Sequence, residues 1–239
     1  MRTMLTTAMS SGIAEARLKI AVLPIGSFEQ HGDVLPLVTD TIVAEVIAER
    51  IAADYDLFLL PPVTLSCSHE HAAFAGTVSI SSQTLSAIIA DVRASLARSG
   101  VEKLVIVNGH GGNYVLSNVV QEANIGEVSV VLYPGRTEWQ EARDAASLET
   151  SISEDMHAGE LETSILLYVA PELVKSDRSD SDHLATVRPH LLLTGMQAYT
   201  SSGIIGRPSL GTAGKGAKIL ASLSESFASH YHLLSKGLV

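Results

Sequence analysis

The feature that most constrains this 239-residue chain is a recurring unit: a short apolar run, a polar loop, then a segment with apolar residues at helical spacing. Ile20–Ile25 leads through loop 26–40 into Thr41–Ala53, where Ile42, Val43, Val46, Ile47 and Ile51 mark one helical face. Leu57–Leu60 is stopped by Pro61-Pro62 and, after a polar loop through Ser66–Gly76, reaches a helix over about Ser82–Ser99 closed by Gly100. Lys103–Val107 passes through Asn108-Gly109-His110-Gly111-Gly112-Asn113 into a helix to about Asn124. This rhythm predicts an α/β fold with a parallel sheet covered by helices. Val128–Leu132 reads as a further strand, Trp139 falls in a loop, and a helix runs from near Ala158 to Pro171. Asp177–Arg188 is expected to be exposed, and a last helix to span about Lys215–Leu234. At this length a single domain over residues 1–239 with one core is expected.

The net charge of −10 is spread along the chain without a block of like charges, which argues against a nucleic-acid partner and leaves a small molecule or a peptide. No apolar run is long enough to span a membrane, so no membrane association is expected. Met1–Ala16 lacks the apolar centre of a leader sequence. Cys67 is the one cysteine and cannot form an internal disulfide, which fits a cytoplasmic setting.

Ligands of open α/β sheets bind beyond the carboxyl ends of the strands. Glu29 and His31 follow the first apolar run, and in extended backbone residues two apart share a face, so the pair is placed to grip a cation. His110 follows the third run, among glycines that let the backbone approach a bound group closely. Asp40 stands where a helix N-cap would stand, and can cap, coordinate, or do both. Glu162 shares a helical stripe with Leu166 and Val169, where a carboxylate is costly to bury unless charge compensates it. Glu160 and Glu162 can alternatively serve the positive end of the helix dipole. His157, just before that turn, reads as a ligand, a proton donor or a cap.

The stretch Leu23-Pro24-Ile25-Gly26-Ser27-Phe28-Glu29-Gln30-His31-Gly32, with Leu35-Pro36-Leu37 and Thr39-Asp40-Thr41, resembles the opening signature of the creatininase (creatinine amidohydrolase) family. Asn108–Asn113 resembles its second signature and His157-Ala158-Gly159-Glu160-Leu161-Glu162-Thr163-Ser164 its third. Ser68-His69-Glu70-His71 with Phe74-Ala75-Gly76-Thr77 is similar to the loop between them, and the order agrees over roughly residues 20 to 216. The resemblance implies a three-layer α/β/α sandwich with a mostly parallel central sheet. It also implies two divalent ions bridged by an aspartate and a water or hydroxide. Carried over by position, Glu29, Asp40 and His110 would hold one ion and His31, Asp40 and Glu162 the other, with His157 moving protons. Creatininase itself carries a carboxylate after the glycine-turn histidine; here Gly111-Gly112 cannot supply it, and Glu162 is preferred to Glu160 as its substitute. A homo-oligomer is implied, with a hexamer as one candidate.

Three carboxylates and two neutral imidazoles carry −3 against +4 for two divalent ions, a balance that a hydroxide neutralises. Nitrogen and oxygen ligands suit zinc, manganese or iron without choosing among them. Such ions activate water and polarise an amide carbonyl, so C–N hydrolysis is the expected reaction, with Glu162 and His157 as the catalytic pair, and the resemblance implies a small non-peptide substrate, a creatinine-like cyclic amide or a formamide. The family also contains hydrolases of formamidopyrimidine ribotides and a peptidase of the mycofactocin precursor, and a catalytically silent metabolite-binding relative is the alternative outside enzymology. Ser68, His69, Glu70 and His71, with Gly111 and Gly112, are expected to line the substrate pocket. His31-Gly32-Asp33-Val34-Leu35-Pro36 departs from the family's usual His-Gly-Pro-His-Leu-Pro, and Phe28 replaces a small polar residue, which bears on substrate rather than on metals. Gly214-Lys215 lacks the glycine and hydroxyl spacing of a phosphate loop, although Lys215 and Arg207 could receive a single phosphate. Cys67 beside His69 and His71 shows no arrangement that would activate a thiol.

Overall fold

The computed structural model describes residue 7 and residues 9–236. β1 (Ile20–Ile25), β2 (Phe58–Leu59), β3 (Lys103–Asn108) and β4 (Val130–Tyr133) form a parallel sheet in the order β2-β1-β3-β4. β1 is central and buried along its whole length, which is why it reads as a continuous apolar run instead of an alternating one. Its side chains, with those of its neighbours, divide between two cores: Val22, Val105, Val107 and Tyr133 on one face, Ala21, Leu23, Ile25, Leu104 and Ile106 on the other.

The helices are α1 (Ser10–Ala16), α2 (Thr39–Tyr55), α3 (Ser82–Arg98), α4 (Val115–Ala123), α5 (Arg136–Ala146), α6 (Glu160–Val169), α7 (Leu191–Thr194), α8 (Ala213–Ser226) and α9 (Ala228–Lys236). α2, α5, α6 and α8 pack together over the first face, and α3 and α4 cover the second with Leu85, Ile89, Leu96 and Leu116. The result is the expected three-layer α/β/α arrangement. Each large side chain sealed in these cores contributes about 1.5–3 kcal/mol of transfer free energy. No described helix is long and apolar enough to cross a membrane. The reading of Met1–Ala16 as no leader falls in part outside the described residues.

Several local expectations change. Pro61-Pro62 shortens the second strand to Phe58–Leu59, yet Leu60 and Val63 still donate from their backbone nitrogens to the carbonyls of Val22 and Pro24, each at 2.9 Å. Asp40 is not an N-cap: Val38 occupies that place, and Asp40 lies inside the first turn of α2. Trp139 lies in α5 and not in a loop. Gly135 N donates to Glu138 Oε2 at 2.8 Å to close the start of that helix, and Trp139, Ala142 and Ala146 turn to the core. The charged residues between them mask that apolar period in the sequence. α6 starts at Glu160, because Ala158 adopts φ +55°. The expected last helix is two, α8 and α9, which meet at Phe227; its ring is sealed against Tyr55 and Tyr133 at centroid distances of 5.1 Å.

The loops after β1, β2 and β3 emerge at one edge of the sheet, and the first turns of α2 and α6 point to the same edge. Residues distant in sequence converge there.

Candidate metal centre

Gly26 sets the close approach of the β1 loop to α2, since a Cβ there would lie 2.3 Å from the Thr41 backbone. That contact brings Ser27 Oγ within 2.7 Å of Asp40 Oδ2, to which it donates. Glu29, Gln30 and His31 are all buried, so this segment is not a two-faced strand; a turn with Gly32 at φ +60° gathers all three side chains. The convergence of Glu29 and His31 therefore does not arise from strand alternation.

Backbone acceptors fix the imidazole tautomers. A carbonyl can only accept, so His31 Nδ1 donates to Glu29 O at 3.0 Å and leaves Nε2 facing Asp40 Oδ1 at 3.0 Å and Glu162 Oε2 at 3.8 Å. His110 Nε2 likewise donates to Cys67 O at 2.9 Å, leaving Nδ1 3.0 Å from Asp40 Oδ2. His157 Nε2 donates to Gln30 O at 2.6 Å, which leaves its Nδ1 lone pair 3.7 Å from Glu29 Oε1. Gln30 Nε2 donates to His71 Nδ1 at 2.9 Å and to Gly203 O at 3.1 Å, so His71 presents Nε2–H to Glu29 Oε1, 3.2 Å away.

Three sets of ligand atoms fall within 4.8 Å of one another: Glu29, Asp40 and His110; His31, Asp40 and Glu162; and Glu29, His31 and His157. The first two share Asp40 and between them use each of the five residues singled out by position in the sequence. A cation fits this arrangement on independent grounds. Both Glu29 oxygens are fully buried, and neither has an aligned hydrogen bond, although His71 and His110 lie at 3.2 Å. A buried carboxylate without partners is strongly unfavourable unless a cation sits against it.

Without an ion, protons take up the negative charge. Burial raises the Glu29 carboxyl, and the neighbouring Asp40 charge adds to this. Burial would lower His31, but the Asp40 carboxylate outweighs it and raises the imidazole to about 9. Burial likewise opposes charge on His110, and Glu29 overcomes it. Asp40 would be raised by burial, yet the flanking His31 and His110 hold it well below the carboxylate range. Burial pushes Glu162 up to about 8. His157 moves the other way, held well below its ordinary value by burial and by the His31 and His71 rings 4.2 and 4.4 Å away. His71 falls to about 3 for the same first reason, burial.

The α6 end of the centre depends on the strained turn at Ala158, a left-handed conformation uncommon for a residue with a Cβ. There Ala158 N donates to Glu162 Oε2 at 2.6 Å and aims that carboxylate inward. Behind it, Asp155 Oδ2 accepts from Arg143 Nη1 at 2.9 Å and from Leu161 N at 3.0 Å. Gly159 is required because a Cβ would lie 1.8 Å from Asp155 Oδ1. Glu160 faces elsewhere, accepting from Thr150 Oγ1 at 2.7 Å and Lys215 Nζ at 2.6 Å. Lys215 is thus occupied, and Arg207 is paired with Asp182 at 3.2 Å, so neither stands ready for a substrate phosphate.

Of the residues expected to line a substrate pocket, Ser68 is buried with an unpartnered hydroxyl and His71 is aimed at Glu29. Gly111 has open space above it, whereas the place of a Gly112 side chain is filled by the Glu70 carboxylate. Glu70, expected in the same loop, lines a cavity with Gly112 beside His110. Gln30 was missed as a site residue, because its partners, His71 and Gly203, are remote in sequence.

The sequence pattern of the Creatininase family, described as creatinine amidohydrolase, matches residues 5–231. A mycofactocin precursor peptide peptidase from Mycolicibacterium smegmatis is 36% identical over 214 residues, covering 85% of this chain and 81% of that protein. A creatinine amidohydrolase from Pseudomonas putida is 26% identical over 190 residues, covering 72% of each. A solved creatininase in its Mn form superposes with a TM-score of 0.79 at 24% identity, covering 97% of this chain and 98% of that one.

Proposed function

The chain belongs to the creatininase family, and from that premise we propose that it is a hydrolase that cleaves an amide C–N bond with two divalent ions. The observation that carries the reading is the pair of ligand sets joined at Asp40, with both oxygens of the buried Glu29 carboxylate left without hydrogen bonds. Glu29, Asp40 and His110 hold one ion; His31, Asp40 and Glu162 hold the other. Manganese and zinc both suit this nitrogen and oxygen set. When bound, the ions supply Lewis acidity toward the amide carbonyl and lower the pKa of water.

The chain's own groups do the rest. His31 and His110 are held as ligands by their bonds to the Glu29 and Cys67 carbonyls. His157 is uncharged before reaction, with Nε2 committed to Gln30 O, so Nδ1 is the atom that takes a proton from water and returns it to the departing nitrogen. Gln30 keeps His71 in register against Glu29.

Two substrate classes have support. The 36% identity to a peptidase favours a peptide amide, and the 26% identity to a creatinine amidohydrolase favours a small cyclic amide. Elemental analysis of protein purified without added ions should give close to two equivalents per chain. No metal found and none taken up with saturable affinity would end the dinuclear reading. Turnover of short peptides, formamidopyrimidine ribotides and creatinine, compared in parallel, assigns the class.

A further inference from the structure

A cavity of about 430 Å³ opens on the His110 side of the metal centre, within the size range of small-ligand sites. Glu70 and Gly112 form part of its inner wall, while Tyr114, Leu192 and Leu193 reach it from α4's start and from α7. Those three side chains are 57%, 75% and 83% exposed. Large apolar groups gathered around one opening mark a contact surface, whereas scattered single ones do not.

Glu70 decides the chemistry that the cavity accepts. A Cβ at Gly112 would lie 2.0 Å from Glu70 Oε1, so the missing side chain is what admits this carboxylate to the rim of the metal centre. Its nearest ionisable neighbour is His110 Nε2 at 3.6 Å, whose proton is already donated to Cys67 O. No hydrogen-bond donor among the described residues satisfies the Glu70 carboxylate.

Hydrolysis of an open-chain amide makes two products of opposite charge. The water oxygen bonds to the carbonyl carbon, the C–N bond breaks with its electrons leaving on nitrogen, and that nitrogen takes up protons. The acyl part ends as a carboxylate and the other part as an ammonium ion. A carboxylate product belongs with metal ions, and an ammonium belongs with an unpaired carboxylate. The geometry points to this cavity as the leaving-amine pocket: Glu70 receives the nascent ammonium, and Tyr114, Leu192 and Leu193 enclose an apolar or aromatic substituent on it. This rests on the amide-hydrolase reading and narrows it to substrates whose amine portion is apolar.

The test titrates the full-length, metal-loaded protein with 2-phenylethylamine and with its neutral isostere 2-phenylethanol, using calorimetry. The ammonium should bind saturably, and Glu70→Gln should weaken it about tenfold or more while leaving the alcohol unchanged, as expected for loss of a charged hydrogen-bond partner. Tyr114→Ala should weaken both. Equal ammonium affinity in the parent chain and Glu70→Gln would overturn the assignment, as would loss of bound metal in Glu70→Gln, which would make Glu70 part of the ion's cage. A Leu192→Asp change that shrinks the solution mass, with no ammonium binding in the parent, would make the rim an interface between copies instead. Failure of the parent chain to take up metal, with Glu70-dependent ammonium binding intact, would sink the hydrolase reading and leave the amine site standing.

Discussion

Asp40 faces His31 across 3.0 Å, Oδ1 to Nε2, with both side chains removed from solvent. Its other oxygen faces His110 Nδ1 at the same distance, so one carboxylate belongs to both ligand sets. Asp40→Ala should therefore abolish binding of both ions, whereas Glu162→Gln should leave one. The loss of affinity should exceed the roughly 10–100-fold that follows removal of an outer-shell partner. Elemental analysis of the two variants, with circular dichroism to confirm folding, reads this directly. Retention of two equivalents in Asp40→Ala would sink the shared-ligand reading, as would substrate turnover that survives the change.

Proton and metal compete for the same cage, and this gives the metal-free protein a distinctive pH dependence. His31 is raised to about 9 and Glu162 to about 8, both above their unfolded values of 6.5 and 4.5. For each, the folded state binds the proton more tightly, so the stabilisation is complete below the unfolded pKa and is lost as pH rises through the folded one. Between pH 6.5 and 9 the metal-free chain should lose on the order of 3 kcal/mol from His31 alone. That corresponds to a fall in Tm of roughly 6–12 °C for a chain of this size. His71, lowered to about 3, is neutral in the folded state throughout and half protonated in the unfolded state only near pH 6.5, an opposing contribution of about 0.4 kcal/mol that does not mask the effect. Added metal displaces these protons, so its stabilising increment should grow with pH. Calorimetric scans with chelator and with metal check both slopes, and a metal-free Tm that rises from pH 6.5 to 9 would contradict the reading.

The sheet was legible because β1 and β3 are buried on both faces and leave an unbroken apolar signature of strand length. The five candidate ligand residues, which the structure brings together, were singled out because the residues around them match a known signature segment by segment. Trp139 was misplaced because its helix shows the core only Trp139, Ala142 and Ala146 among charged neighbours. Gln30 owes its place to His71 and Gly203, and contacts between remote segments have no local period to read. Arg207 and Lys215 looked like free cations because Asp182 and Glu160, which neutralise them, come from other segments.

Gln30 offers a test of how far the centre depends on uncharged neighbours. Its side chain joins Gly32 N, Gly203 O and His71 Nδ1, all within 3.1 Å. Gln30→Ala should cost roughly 1–3 kcal/mol for each buried group left unpaired and free the His71 ring to turn from Glu29. Gly203→Ala should resemble it, since the added Cβ would lie 1.7 Å from Gln30 Oε1 at a φ of +86°. Chemical denaturation of both variants measures the cost. Wild-type stability in Gln30→Ala would show that water replaces these bonds at no loss.

The buried ion pair Arg143–Asp155, with side chains 4% and 2% exposed, separates stability from positioning. Arg143→Met strands the Asp155 carboxylate and leaves Thr150 O and Oγ1 without their donor. Breaking such a pair from one side costs about 3–5 kcal/mol, or roughly 6–20 °C in Tm here. Replacing both partners with apolar residues is often nearly neutral, so Arg143→Met combined with Asp155→Leu should recover much of that loss. It should not recover metal binding. Asp155 is the acceptor that holds Leu161 N, and with it the turn from which Ala158 N aims Glu162 at His31. The double variant should therefore denature closer to the parent chain than Arg143→Met does, yet bind its second ion at least tenfold more weakly, a penalty in the range of a lost outer-shell partner. Metal titration at fixed pH reads that difference, and unchanged affinity for both ions would show that α6 holds Glu162 in place without Asp155.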